Sequence, residues 1–319
     1  MHAERLPADA AILRALALDI EERLVSRDQR GMGRVRSAWQ TGYLHSAVQT
    51  LLQRRARVMI VSGFPVGETF ETDGPAGALV LASALRALGS EVRLVGLADF
   101  VARLRQGMAL LGLDERVAIA ADFSAGASPD SEPLRAVQEF APTLVVFVEV
   151  PGVTADGNYY NMRGDNISAR TLPWEALLSC IDCPTLAFAD GGNEVGMGRV
   201  KAALRPLDIE PAVSVTDHLV ISDVSNWGVY GAVALASAHA GRDLFPGADL
   251  RSLLQALNRS GIVDGVTRQA TPTEDGLDAR QGQRLIAQLR QLAAAIMTPE
   301  PAADATPAAG REFLLESYS

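Results

Sequence analysis

Short apolar runs rich in valine, isoleucine and leucine recur along the chain, with longer segments of helical periodicity between them. Arg57–Gly63, Glu91–Gly96, Val117–Ala120, Thr143–Glu149, Leu186–Ala189 and Leu219–Ile221 read as strands, because near-continuous aliphatic runs of this length suit a strand buried on both faces. Pro75–Leu88 reads as a helix with proline in its first turn and Gly89 just past its end. Phe100–Leu111, a segment near Leu134–Phe140, and Tyr230–Ala240 continue the helical series. Two amphipathic helices, Ala10–Ser26 and Val35–Arg54, precede the alternation, and Leu250–Leu257 and Arg280–Ile296 follow it. Strand–helix alternation of this kind predicts an α/β protein. Its expected architecture is a doubly wound, mostly parallel sheet with helices on both faces, a Rossmann-like three-layer sandwich. The expected organisation is one domain over 1–297, with the helices of 10–54 packed on it. A flexible Pro/Ala-rich tail over 298–319 completes the chain, since its composition resists packing.

Glycine-rich polar loops interrupt this pattern at the ends of the predicted strands. Asp190-Gly191-Gly192-Asn193-Glu194-Val195-Gly196-Met197-Gly198 follows the strand ending at Ala189 and sets two carboxylates and an amide among four glycines. Glycine permits positive φ and close backbone approach, and the carboxyl ends of parallel strands are where such sheets hold ligands. Gly63 to Pro75 follows the first strand and carries Glu68, Glu71 and Asp73 just before a helix. Thr72 or Asp73 as a helix cap explains one acid more easily than three. Glu149 ends the most apolar strand, where a carboxylate is costly unless paired or coordinated. The loop after it holds Asp156 to Asp165, in which Arg163 offers a planar fork for a carboxylate or phosphate, or a partner for Asp165. A helix starting near Asn193 would place Lys201 one to two turns beyond Glu194.

Composition narrows the chemistry. Hydrophobic content of 48% with 21% charged residues fits an ordinary soluble protein. A net charge of −9 argues against nucleic acid as a partner. The first 30 residues carry Glu4, Asp9, Asp19, Glu21 and Glu22, which breaks any secretory signal, and no run reaches membrane-span length. A cytoplasmic protein without membrane association is the expectation. The sequence leaves self-association into a homo-oligomer open. The pair Cys180-Ile181-Asp182-Cys183 precedes a strand and has no second pair, so it reads as structural or incidental. His218 has no partner histidine and is expected to be structural more often than a ligand.

The first loop lacks the Lys-Ser/Thr of a P-loop and the spacing of a dinucleotide fingerprint, so no nucleotide cofactor is expected. No G-x-S-x-G elbow marks a serine nucleophile. Carboxylates at several strand ends, with an amide and no His or Cys cluster, suit a hard divalent cation such as Mn²⁺, Mg²⁺ or Ca²⁺. The plain alternative is a set of independent caps and surface acids.

The ordered set Ser62-Gly63-Phe64-Pro65, Glu71-Thr72-Asp73-Gly74-Pro75, Gly157-Asn158-Tyr159-Tyr160-Asn161-Met162-Arg163-Gly164, Asp190 to Gly198, and Ser225-Asn226-Trp227-Gly228 spans about residues 35–290. It resembles the D-glutamate cyclase-like domain, which forms the C-terminal part of eukaryotic D-glutamate cyclase and also occurs alone in bacteria. The resemblance implies a lyase that dehydrates D-glutamate, or a related amino acid, to 5-oxo-D-proline. Under it, Glu149, Asp190 and Glu194 would hold the metal, and Asp73, Glu71 and Glu194 would serve catalysis. Arg163, Asn161, Asn193 and Asn226 would hold the small acidic substrate. Metal-dependent phosphatase or hydrolase chemistry at the same acids, and a non-catalytic module that binds a small acidic metabolite, are the alternatives.

Overall fold

The computed structural model describes residues 10–121 and 139–297. Glu139 and Phe140 apart, the helix expected near Leu134–Phe140 and the tail over 298–319 lie outside the described residues. Six strands form the main sheet: β1 (Arg57–Ser62), β2 (Glu91–Leu97), β3 (Ala118–Ala121), β4 (Leu144–Val148), β5 (Thr185–Ala189) and β6 (His218–Ile221). Their order across the sheet is β3-β2-β1-β4-β5-β6, and every neighbouring pair is parallel. The register sets Ser62 beside Val148 and Val148 beside Phe188, so β1, β4 and β5 end side by side. This is the doubly wound order, and its strand sequence reverses between β1 and β4. The central strands are buried on both faces, which is why they lack polar alternation.

Helices flank the sheet in a three-layer arrangement: α1 (Ala10–Leu24), α2 (Tyr43–Gln53), α3 (Pro75–Ala87), α4 (Ala98–Leu110), α5 (Ser225–Ala240), α6 (Leu250–Arg259) and α7 (Ala279–Ile296). Helix α5 is apolar all round because it is enclosed: Ser225–Ala238 is buried throughout, against β5 on one side and α1, α2, α3 and α7 on others. Gly231 permits the close contact with α1, since a Cβ there would sit 2.9 Å from Ile20 and 3.0 Å from Leu24.

Two expected helices are corrected. Val35–Arg54 is not continuous: a short helix, Met32–Ser37, is separated from α2 by Gly42 at φ 83°. The buried Glu21 carboxylate accepts from Gly42 N at 3.1 Å and Leu44 N at 2.9 Å, and so captures the start of α2. No helix starts at Asn193 either. Glu194 folds back onto its own loop, a 3₁₀ turn runs over Met197–Val200, and Lys201 is exposed, outside the cavity wall.

Candidate functional site

The loops after β1, β4 and β5 meet at the point where the strand order reverses. Ser62 Oγ donates to the Val148 carbonyl at 2.8 Å and ties the ends of β1 and β4. The loops after β4 and β5 are joined by bonds from Gly152 N to Asn193 O and from Val195 N to Val150 O, each 2.9 Å. A two-residue hairpin, Asp275-Gly276, closes the site from a distant part of the chain, with φ 51° and 77° between the strands Thr273–Glu274 and Leu277–Asp278. The segment between α1 and α2 delivers Arg30. Together these surround a cavity of about 400 Å³ whose wall includes Arg30, Glu71, Glu149, Asp190, Asn193 and Asp275, with Arg163, Arg170 and Arg268 also bordering it.

Asp73, Glu149 and Asp190 form the inner triad, each with a carboxylate oxygen within 4.8 Å of the others. Oxygens that share one hard cation at about 2.0–2.6 Å lie no more than about 5 Å apart, so this donor set fits Mg²⁺, Mn²⁺ or Ca²⁺. Glu149 and Asp190 thus come together as expected of metal ligands, and their third partner is Asp73. Glu194 stands elsewhere: its carboxylate accepts from Gly191 N and Gly192 N, each at 2.7 Å, and shapes the loop that presents Asp190.

Asp73 touches the helix that follows it in sequence through Gly74 N, 2.9 Å from Oδ1, and its other bonds go elsewhere. Its oxygens accept from Ser225 N at 2.8 Å and Asn226 N at 2.7 Å, the first amides of α5. Asn226 returns the favour to α3, its Oδ1 accepting from Gly74 N at 2.9 Å and Gly77 N at 2.6 Å. The two helix N-termini exchange caps, and their dipoles face the acid cluster. Asn226 also donates to Thr72 O and to Glu274, is fully buried, and does not border the cavity. Its amide is wholly committed to the frame. Gly74, at φ 96°, leaves room that a Cβ would take, 2.8 Å from Glu149 Cβ and 2.9 Å from Ser62 Oγ.

Negative charge here far exceeds positive. Glu71, Asp73, Glu149, Asp190, Glu274 and Asp275 are buried together, and the counter-charge that reaches them is the half-buried Arg30. Its Nη1 lies 2.7 Å from Asp275 Oδ2 and 2.8 Å from Asp190 Oδ2. Burial and then neighbouring carboxylates hold Glu71, Asp73 and Glu149 well above the usual carboxylate range. Burial also raises Asp190 against the pull of Arg30, and pushes Glu274 up to about 7. Burial acts upward on Asp275 as well, but there the Arg30 guanidinium prevails and holds it below its ordinary value. The cluster therefore needs either protons or a cation.

Backbone strain concentrates in the same place. Arg30, Glu149, Arg268 and Asp275 all border the cavity and all take positive φ, between 48° and 58°. Non-glycine residues pay for that conformation, and such outliers gather at functional sites.

The remaining expected residues divide by role. Arg163 borders the cavity and donates to the Val266 carbonyl at 3.0 Å; Asp165 pairs instead with Arg268, at 3.6 Å. Asn161 borders the cavity too, while its side chain holds its own turn through Arg163 N, Asp165 N and Asp165 Oδ2. Asn193 is buried in the wall, its amide nitrogen on the Tyr160 carbonyl at 2.8 Å. His218 lies at the amino end of β6, opposite the site, against Thr50 Oγ1 at 2.8 Å. Cys180 and Cys183 are unlinked thiols. The sequence reading missed Arg30, Glu274 and Asp275. Asp275-Gly276 was a readable signal, because Asp-Gly is a preferred pair for a two-residue hairpin with positive φ at both positions.

An α/β protein with a doubly wound sheet and a carboxylate-lined ligand cavity at its switch point is the class that fold and site define. Residues 22–290 match the family model described as D-glutamate cyclase-like, C-terminal, and the chain belongs to that family. The mitochondrial D-glutamate cyclase of Homo sapiens is 33% identical over 207 residues, 59% of this chain. The match spans a third of that relative's length. Among the described residues, no helix is long and apolar enough to cross a membrane.

Proposed function

We propose that this chain is a lyase acting on D-glutamate or a closely related acidic amino acid, closing it to 5-oxo-D-proline with loss of water. One observation carries the reading: a single cavity of about 400 Å³ joins a buried carboxylate cluster to a wall of guanidinium groups. A ligand with an ammonium and two carboxylates complements such a surface. The family and the name of the human relative point to the same substrate.

The reaction forms a bond between the amine nitrogen and the carbon of the γ-carboxylate and breaks one C–O bond of that carboxylate. The two protons lost from the ammonium leave with that oxygen as water, so no net proton is consumed. Asp73, Glu149 and Asp190 would hold a divalent cation, which when bound polarises the γ-carboxylate and carries its charge. Arg163, anchored on the Val266 carbonyl, is the partner for the α-carboxylate. Glu71 and Asp275, buried wall carboxylates outside the triad, are the groups we assign to take the ammonium proton and return it to the leaving oxygen. Holding the amine and the γ-carboxyl carbon about 3 Å apart supplies much of the rate advantage expected of an intramolecular closure.

The same triad beside guanidinium groups also favours metal-assisted hydrolysis of a phosphate ester as a second reading. Purified protein with D-glutamate and Mn²⁺, assayed by chiral chromatography, should form 5-oxo-D-proline above the uncatalysed rate. No product with or without Mn²⁺ overturns the lyase reading. Mn²⁺-dependent turnover of a generic phosphoester, lost in Asp190→Asn, would support the second instead.

A further inference from the structure

Asn193 keeps a buried acceptor that the protein leaves unused. The residue is 2% exposed, and its Nδ2 donates to the Tyr160 carbonyl. That bond fixes the orientation of the amide, because only its nitrogen can face a carbonyl oxygen. The opposite end, Oδ1, meets no donor although it is buried. Asn193 shares the cavity wall with Asp190 and Glu149. A Cβ at Gly191 would stand 2.9 Å from Oδ1, so the glycine keeps the space beside that oxygen clear. Buried polar atoms are seldom left unpaired, since the desolvation they suffer is not repaid.

We propose that Asn193 Oδ1 receives the amino group of the ligand and makes the cavity favour amino dicarboxylates over dicarboxylates that lack a donor at that position. The inference rests on the reading that the substrate is an acidic amino acid, and it names the group that decides which acids enter. A carboxylate cannot be the occupant, because the amide's donor is committed to Tyr160 and its neighbours Asp190 and Glu149 are acids. An N–H donor satisfies the orphan. A neutral acceptor also suits an amine that must attack: it orients the nitrogen through one N–H, where a carboxylate would favour the unreactive ammonium. Dicarboxylates that carry no hydrogen-bond donor at that position are the ligands this arrangement disfavours.

Titration calorimetry on the full chain, comparing D-glutamate with glutarate in cation-free buffer and again with Mn²⁺, tests this without requiring turnover. Glutarate lacks only the amino group and keeps both carboxylates, so the comparison isolates the donor. D-Glutamate should bind at least tenfold more tightly than glutarate. Asn193→Leu, similar in size and without polar atoms, should bring that preference to within twofold by weakening D-glutamate alone. Asn193→Asp keeps an acceptor and should keep the preference, which covers the case in which the leucine variant fails to fold. Equal affinities in the wild type, a leucine variant that weakens all ligands alike, or an aspartate variant without preference would overturn the proposal. An amine-dependent preference without 5-oxoproline formation would refute the lyase reading and leave the amine subsite standing. Lactam formation without any preference would do the reverse.

Discussion

Divalent cations should raise the melting temperature of this protein, by an amount that can be worked out beforehand. A ligand at a hundred times its Kd stabilises the folded state by about 2.7 kcal/mol. A chain of 319 residues unfolds with an entropy of roughly 0.7 kcal/mol per kelvin. The expected shift is therefore about 4 °C. It arises because Asp73, Glu149 and Asp190 are buried within a common 4.8 Å and lack enough positive charge around them. Asp190→Asn removes one charged ligand while keeping its shape. If that weakens binding a hundredfold, the same cation concentration contributes only about 0.4 kcal/mol, and the shift falls below about 1 °C. Differential scanning fluorimetry of both proteins in chelator, then in millimolar Mg²⁺, Mn²⁺ or Ca²⁺, reads the effect directly. The absence of any shift with all three ions, or an undiminished shift in Asp190→Asn, would refute the triad as a cation site.

Two further outcomes follow from the surrounding frame. Asn226→Ala should cost about 3 kcal/mol by denaturant titration, because Gly77 N, Thr72 O and a Glu274 oxygen lose a buried partner; an unchanged midpoint would assign Asn226 to ligand binding after all. Asp223 is raised to about 6, mainly by burial, against an ordinary value of 3.8. Between those values the folded state holds the proton more tightly, so this residue's stabilisation is present at pH 4 and lost as pH rises through 6. Wild type should lose more stability than Asp223→Asn over that interval, and parallel profiles would contradict the assignment.

The sheet was legible in the sequence because fully buried parallel strands leave an unmistakable aliphatic run. Each of the six lies within a residue or two of its expected bounds. Helix starts were harder to read when their caps came from elsewhere. Helix α5 was expected from Tyr230 yet begins at Ser225, since the residue that captures its first amides is Asp73, remote in sequence. The same holds for the site. Glu149 and Asp190 follow apolar strands and announced themselves as misplaced charges. Arg30 sits in a segment between two longer helices, and nothing in its neighbours marks it as facing the site. The roles of Asn226 and Glu194 depend on which backbone amides approach them, and a pattern of residue types does not record that.

The exchange of caps between α3 and α5 has a consequence for how the molecule assembles. Asp73 and Asn226 are separated by 153 positions, and closing so long a loop costs about 4 kcal/mol in chain entropy. Gly77 of α3 and Ser225 and Asn226 of α5 take their acceptors from the other element, so these N-termini are complete only once the two halves of the sheet have come together. The same closure gathers Asp73, Glu149 and Asp190, and a cation held by them would act as a latch across the two halves.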